Sequence, residues 1–191
     1  MSNSNLNLGQ SAGVSVTRQR ALQALLDGLN AHAHVELWRQ GKKVWEETVD
    51  LSLHRDNNGI VDVGVNKLLD VFFHNQTQIA TWYIGIVDNS GFSAFANGDT
   101  MSSHAGWTEF TAYSESTRVE WVEGAASGRS ITNPSPSVFN INGSGTLKGV
   151  FVTSDSTKSG TTGTLWATAA FASTVTVSNG DQLKVTYTVS G

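Results

Sequence analysis

The sequence predicts a mainly β protein, an antiparallel β-sandwich of immunoglobulin-like or jelly-roll-like type with one or two helices near the N-terminus. The first observation is composition: the chain has 19 glycines, and Ser and Thr dominate its last third. The second is spacing, because from residue 118 onward apolar runs recur about every 8–15 residues, each bounded by Gly, Asn, Pro or Ser. The third is the final run, GDQLKVTYTV, in which Leu183, Val185, Tyr187 and Val189 alternate with more polar residues. Such alternation is typical of an antiparallel strand with one buried face.

The overall composition excludes several classes of site. None of the 191 residues is cysteine, so disulfides, zinc–thiolate sites and cysteine nucleophiles are excluded. The formal net charge is −4 and no long basic run occurs, which argues against direct nucleic-acid binding. No apolar run approaches the roughly 18 residues of a membrane span, and the polar start MSNSNLNLGQSAG lacks a signal-peptide pattern. We therefore expect a protein made in the cytoplasm that contacts neither nucleic acid nor membrane.

The N-terminal region predicts a flexible arm followed by a helix. Residues 1–16 are mostly Ser, Asn and Gly, whereas residues 17–33 carry leucines at three- and four-residue steps after Thr17, a residue type that caps helices. These leucines, the candidate anchoring face, are Leu22, Leu25, Leu26 and Leu29. We accordingly divide the chain into an arm plus helix over 1–34 and a β-sandwich domain over 35–191.

A β-hairpin is predicted directly after this helix. The run VELWRQGKKVWEETVDL changes to a two-residue period, with strands near 35–40 and 43–51 and a glycine turn between them. Trp38 and Trp45 are expected at nearly facing positions, where aromatic pairs stabilise a hairpin.

Further along the chain, one more helix and a central strand are predicted. Helical spacing of apolar residues over 61–73 indicates a helix whose apolar face packs on a sheet. The nearly continuous apolar run QIATWYIGIVD predicts a central strand. Residues 90–117 are expected to form a long connection with a short helical turn near 99–103.

His32, His34 and Glu36 are the best metal-ligand candidates in the sequence. On a strand, positions i, i+2 and i+4 share a face, so all three side chains could bind one ion. The alternative is a polar helix end, where histidine interacts favourably with the helix dipole. Because the pattern places these residues where a helix ends, we favour the alternative and predict neither a metal nor another cofactor.

Acidic residues in the segment SSHAGWTEFTAYSESTRVEW, and one just after it, are candidates for glycosidase chemistry, which needs two carboxylates at a fixed separation. Their spacing selects no pair, and no G-x-S-x-G nucleophile motif occurs in the chain. We therefore predict that the protein is not an enzyme and assign no catalytic residue. The acids are Glu109, Glu115, Glu120 and Glu123.

Three aromatic residues, Trp107, Tyr113 and Trp166, are candidate contact residues or a platform for carbohydrate. Sugar rings stack on exposed Trp and Tyr side chains. The alternative is that they belong to the core, because large aromatics at strand spacing are commonly buried.

Several longer motifs resemble those of small proteins from tailed bacteriophages and prophages. The motifs are TWYIGIVDNSGF, DTMSSHAGWTEFT, TLKGVFV, TLWATAAF and NGDQLKVTYTV, and the resemblance covers roughly residues 35–190. It implies a structural protein of the virion, whose partners are other virion proteins such as the major capsid or tail protein. Because the edge strands of a β-sandwich need partners or protection, we also expect a homo-oligomer. We expect a capsid decoration or head-associated protein; the alternative is a tail-fibre or tail-associated module that binds a receptor or glycan.

Overall fold

A computed structural model describes residues 28–52 and 59–191, and it shows a mainly β protein with two antiparallel sheets and, within these residues, one helix. The helix, α1, spans Asp62–Phe73. The strands are β1 (Asn30–Arg39), β2 (Lys42–Asp50), β3 (Gly59–Ile60), β4 (Tyr83–Asp88), β5 (Thr108–Phe110), β6 (Val119–Glu120), β7 (Ser130–Thr132), β8 (Ser137–Asn140), β9 (Gly145–Thr153), β10 (Leu165–Val177) and β11 (Gln182–Ser190).

The first sheet is built around the pairing of β1 with β11. Its order is β2-β1-β11, and the short strands β7 and β8 both pair with the far edge of β11. Val35 lies opposite Val185 and Ala33 opposite Tyr187, all four buried, so the two alternating strands turn their apolar sets to the same face.

The second sheet has the order β3-β10-β9-β4, with β5 and β6 both paired to the outer edge of β4. Both of its faces are covered. In β9, Val150 and Val152 enter the core shared with the first sheet, whereas Phe151 points to the other face and packs on Trp107. Burial on two sides explains why β4 appears in the sequence as a continuous apolar run rather than an alternating one.

Aromatic contacts join the two sheets across their shared core. The rings of Trp45 and Phe171 meet edge to face at 5.2 Å, and the indole Nε1 of Trp166 donates a 2.7 Å hydrogen bond to the hydroxyl oxygen of Tyr187. The two sheets therefore face each other as in a sandwich, which agrees with the predicted mainly β class.

The predicted N-terminal helix is only partly within the described residues. Residues 1–27, which include Leu22, Leu25 and Leu26, lie outside them. From Asn30 onward the chain is a strand, so the helical prediction is wrong for its last four residues, and the strand begins before the predicted domain start at residue 35. The reason is tertiary: the segment alternates buried alanine with exposed polar residues and pairs with β11 along its length.

The hairpin of β1 and β2 is confirmed, but its tryptophan pair is wrong. Gln40 and Gly41, with φ of 50° and 74°, form the turn. A register shift beside Leu37 places that residue opposite Trp45. As a result Trp45 packs against the core, while Trp38 turns outward beneath Lys184, whose Nζ lies 4.2 Å from the ring centroid.

The long connection between β4 and β6 covers the outer face of the second sheet. Its aromatic anchor is Trp107, whose indole nitrogen donates a 2.9 Å hydrogen bond to Asp99. The helical turn predicted near 99–103 is instead a tight turn, closed by reciprocal backbone hydrogen bonds between Thr100 and Ser103.

Candidate docking site

An apolar groove of about 240 Å³ lies between α1 and one end of the two sheets. Strand and near-strand residues form its floor, and one face of α1 forms its wall. The floor includes Trp82, Trp121, Trp166, Tyr187 and Val189, and the wall includes Gly64, Lys67, Leu68 and Val71. Leu29, the residue before β1, also lines the groove, so the chain enters the described domain there.

Close backbone contacts with Trp166 hold the first turn of α1 beside the groove. The backbone N–H of Val61 donates a 3.0 Å hydrogen bond to the Trp166 carbonyl oxygen. One turn later, a Cβ placed on Gly64 would lie 2.6 Å from that same oxygen, so the absence of a side chain permits this close approach. The residues of α1 after Val65 are half-buried or exposed, and three of them, Lys67, Leu68 and Val71, line the groove.

The polar atoms of the groove floor hydrogen-bond to one another. The Trp166 indole donates to the Tyr187 hydroxyl, and the Trp121 indole donates to the Tyr187 carbonyl oxygen at 3.0 Å. Burial raises the pKa of the Tyr187 phenol, so it stays protonated. The floor therefore presents mainly carbon surface to whatever enters the groove.

Next to the groove, α1 exposes four large apolar side chains. Phe72 and Phe73 are 77% and 78% exposed and contact each other edge to face at 5.1 Å. Leu68 and Leu69 are 40% and 44% exposed. We call these four residues the α1 apolar face. Elsewhere in the described chain the exposed large apolar residues are two separate valines, Val44 and Val122.

This surface corrects part of the prediction that α1 packs its apolar face on a sheet: Val65 does pack against the shared core, but the α1 apolar face is exposed. Gly64 is the buried residue of the helix, and the residues nearest the groove follow its i, i+3, i+4 and i+7 positions. Leu69 and Phe73 do not line the groove and are exposed to solvent beside it. The signal was present in the sequence, because the pairs 68–69 and 72–73 make an apolar arc wider than one sheet covers.

The three predicted contact aromatics have different positions in the structure. Trp166 lines the groove, where its ring lies 5.9 Å from that of Trp82. Trp107 and Tyr113 are only 2% and 1% exposed. These two side chains belong to the core and expose no ring face on which a sugar could stack. Trp107, Tyr113 and Trp166 therefore do not form one platform.

Glu109 is committed to a buried ion pair with Arg118. The guanidinium donates two hydrogen bonds of 3.0 and 2.9 Å to the carboxylate, and the two side chains are 1% and 5% exposed for Arg118 and Glu109. Arg118 also donates to the carbonyl oxygens of Asp155 and Gly160, which pins the neighbouring loop. Sequence reasoning missed this anchor because periodicity does not show which acid pairs with an arginine, and because the Asp155 and Gly160 carbonyls lie 37 and 42 residues from Arg118.

The other predicted acids show no paired arrangement with Glu109. Glu115 accepts hydrogen bonds from the backbone and side-chain nitrogens of Asn140, the latter at 2.6 Å. Glu120 and Glu123 are exposed. A small cleft beside the Glu109–Arg118 pair is bordered by His104, but that imidazole stacks on Trp107 at 4.0 Å.

His34 and Glu36 share the outer face of β1, as the strand interpretation required. The structure adds Glu46 of β2 to this pair and leaves His32 outside the group whose ligand atoms lie within 4.8 Å of one another. The helix-end alternative is wrong, because residues 30–39 form a strand.

Comparison with known proteins assigns no family to this fold and these sites. No family model matches the chain, and no curated protein is similar to it. Over residues 28–52 and 59–191, no helix has both the length and the apolar character needed to cross a membrane.

Proposed function

We propose that the protein is a bacteriophage virion structural protein, a capsid decoration or head-associated protein that docks on another virion protein through its groove and α1 apolar face. The observation that carries the proposal is the α1 apolar face itself. Burying a large apolar side chain contributes about 1.5–3 kcal/mol, so four side chains can support stable docking. The class of partner rests on the resemblance of the sequence motifs to those of phage proteins.

The sheet edges favour docking through this face rather than through strand addition. Within the described residues, β2 is an edge strand, and it carries Lys42, Lys43, Glu46, Glu47 and Asp50. The strands at the other edges are short: β3 and β6 have two residues each, β5 and β7 three each, and β8 four. Charged or very short edge strands discourage pairing with another chain.

The start of the described chain lies at the same surface. Leu29 lines the groove, and in the sequence Leu22, Leu25 and Leu26 precede it within seven residues. We propose that these leucines join the α1 apolar face in contacting the virion partner, and that the domain forms a homo-oligomer on the particle.

A jelly-roll-like sandwich is the finer fold class that we propose. In immunoglobulin constant-type domains the first and last strands lie in different sheets. Here β1 and β11 are neighbours in one sheet, which supports the jelly-roll-like alternative.

A glycan-binding tail module is the weaker alternative. Sugar recognition needs polar groups beside the aromatic rings, but the Tyr187 hydroxyl is engaged by Trp166 and Lys67 Nζ donates to the Thr77 carbonyl oxygen at 3.1 Å. The groove therefore suits an apolar protein segment better than a sugar.

The test uses particles of a phage that encodes this chain, complemented with variants. We expect wild-type protein to sediment with purified particles and Phe72→Ser/Phe73→Ser protein to be lost from them. The matched control is Val44→Ser/Val122→Ser, which removes two exposed apolar side chains elsewhere and should be retained. Circular dichroism checks that each variant folds. Particles that lack the wild-type chain, or that keep the Phe72/Phe73 variant at full occupancy, would overturn the proposal.

A further inference from the structure

The outer face of the β1–β2 hairpin carries a cluster of potential metal ligands, at a site separate from the groove. The imidazole Nε2 of His34 lies 3.5 Å from Glu36 Oε1 and 3.5 Å from Glu46 Oε2. Two ligands bound at about 2.1 Å to a tetrahedral ion are about 3.4 Å apart. The two distances from His34 Nε2 are therefore close to the separation that a tetrahedral metal requires, and all three ligand atoms lie within 4.8 Å of one another.

Each of the two β1 ligands is also held by an outer partner. The Nδ1 atom of His34 lies 3.0 Å from Thr48 Oγ1, which orients the ring so that Nε2 faces the carboxylates. The second oxygen of Glu36 accepts a 2.8 Å hydrogen bond from the Trp38 indole. Outer partners of this kind orient ligands in natural metal sites.

A cation already lies between the two carboxylates. Lys43 Nζ is 3.1 Å from Glu36 Oε1 and 2.6 Å from Glu46 Oε2. These are the same two oxygens that lie near His34. The two carboxylates thus attract positive charge to a defined position. The lysine side chain is flexible, so its ammonium group can move away into solvent.

We propose that His34, Glu36 and Glu46 form a binding site for a divalent transition metal such as Zn²⁺, with Lys43 as a built-in competitor. Imidazole and carboxylate are ligands that Zn²⁺ accepts, and three protein ligands leave a fourth position for water. The side chains are 20–50% exposed, so an ion can reach them from solvent. This inference is independent of the proposed virion role.

Titration of the full-length protein with Zn²⁺ by isothermal calorimetry tests the site. We expect one ion per chain, with binding weakened at least tenfold in His34→Gln and in Glu46→Gln. Lys43→Met should tighten binding, because it removes the competing ammonium, and Thr48→Val should weaken it about tenfold by releasing the imidazole. His32→Gln is the matched control: it changes a histidine on the same strand face outside the cluster and should leave affinity unchanged.

A second readout uses Trp38, whose indole contacts Glu36. Titration with Ni²⁺, a quenching ion of similar ligand preference, should lower tryptophan fluorescence in the wild type but not in His34→Gln. The proposal is overturned if no saturable binding occurs, or if His34→Gln and Glu46→Gln bind Zn²⁺ as the wild type does.

Discussion

At the residue scale, Tyr113 and Tyr187 are both buried, but only one of their hydroxyl groups is hydrogen-bonded within the described residues. The Tyr187 hydroxyl accepts from the Trp166 indole, whereas the Tyr113 hydroxyl has no partner there. Burial raises the pKa of both phenols, so both are neutral. A buried polar group without a partner costs about 1–3 kcal/mol.

We therefore expect Tyr113→Phe to raise the free energy of unfolding by about 1 kcal/mol, because it removes an unpartnered hydroxyl and keeps the ring. The matched variant Tyr187→Phe should lower that free energy by a similar amount, because it leaves the Trp166 N–H without an acceptor. Urea unfolding followed by circular dichroism measures both. Equal effects of the two substitutions would contradict this account.

Asp181 predicts a pH dependence of stability. Hydrogen bonds from Arg39, at 2.8 and 2.7 Å, hold the pKa of this buried carboxyl below its ordinary value. A depressed pKa in the folded state stabilises the fold at pH values above the unfolded pKa, about 3.9, and this contribution is lost as the pH falls through the folded pKa.

Asp181→Asn should therefore be less stable than wild type at pH 6, and the difference should shrink below about pH 4. Exposed Glu123→Gln serves as the control, and a difference independent of pH would count against the ion pair.

At the scale of elements, α1 shows which features of a helix local sequence can predict. Its bounds follow from apolar periodicity and were predicted within one residue. Its orientation was not, because the contact that sets it joins Gly64 to the backbone of Trp166, about 100 residues away in the chain. With Gly64 facing the sheet, Leu69 and Phe73 face solvent.

Gly64→Ala tests whether this contact sets the helix position. Alanine normally stabilises a helix interior by about 0.5–1 kcal/mol relative to glycine. Here the new Cβ meets a carbonyl oxygen that cannot move freely, so we expect the thermal midpoint to fall. Gly98→Ala, with no atom within 4 Å of the new Cβ, should leave the midpoint almost unchanged. A rise in the midpoint for Gly64→Ala would show that the helix can shift without cost.

At the scale of the whole molecule, β1 links the N-terminal region to the rest of the fold. It lies between β2 and β11, so both of its edges are hydrogen-bonded, and Ala31 and Ala33 belong to the shared core. The domain boundary predicted at residue 35 would divide this strand.

Two truncations separate the N-terminal segment from the folded domain. Removing residues 1–27 should leave the thermal midpoint of the β domain nearly unchanged, because β1 stays intact. Removing residues 1–34 deletes half of a central strand and should abolish cooperative unfolding, measured by circular dichroism and calorimetry. If the shorter chain unfolds like the longer one, β1 is not required for the sheet.

The sequence by itself determined the features that depend on neighbouring residues. Period-two alternation predicted the antiparallel β class and β11, glycine placement predicted the first hairpin, and helical period predicted α1. Only the tertiary structure decided which aromatic rings are buried, which acid pairs with Arg118 and which face of α1 meets solvent. It also showed that Glu46 lies beside His34 and that the predicted end of the first helix is part of a strand. These outcomes depend on contacts that turns and sheet pairing create, from the Glu109–Arg118 pair nine residues apart to the Gly64–Trp166 contact about 100 residues apart. Local periodicity carries no information about which of these partners a side chain will meet.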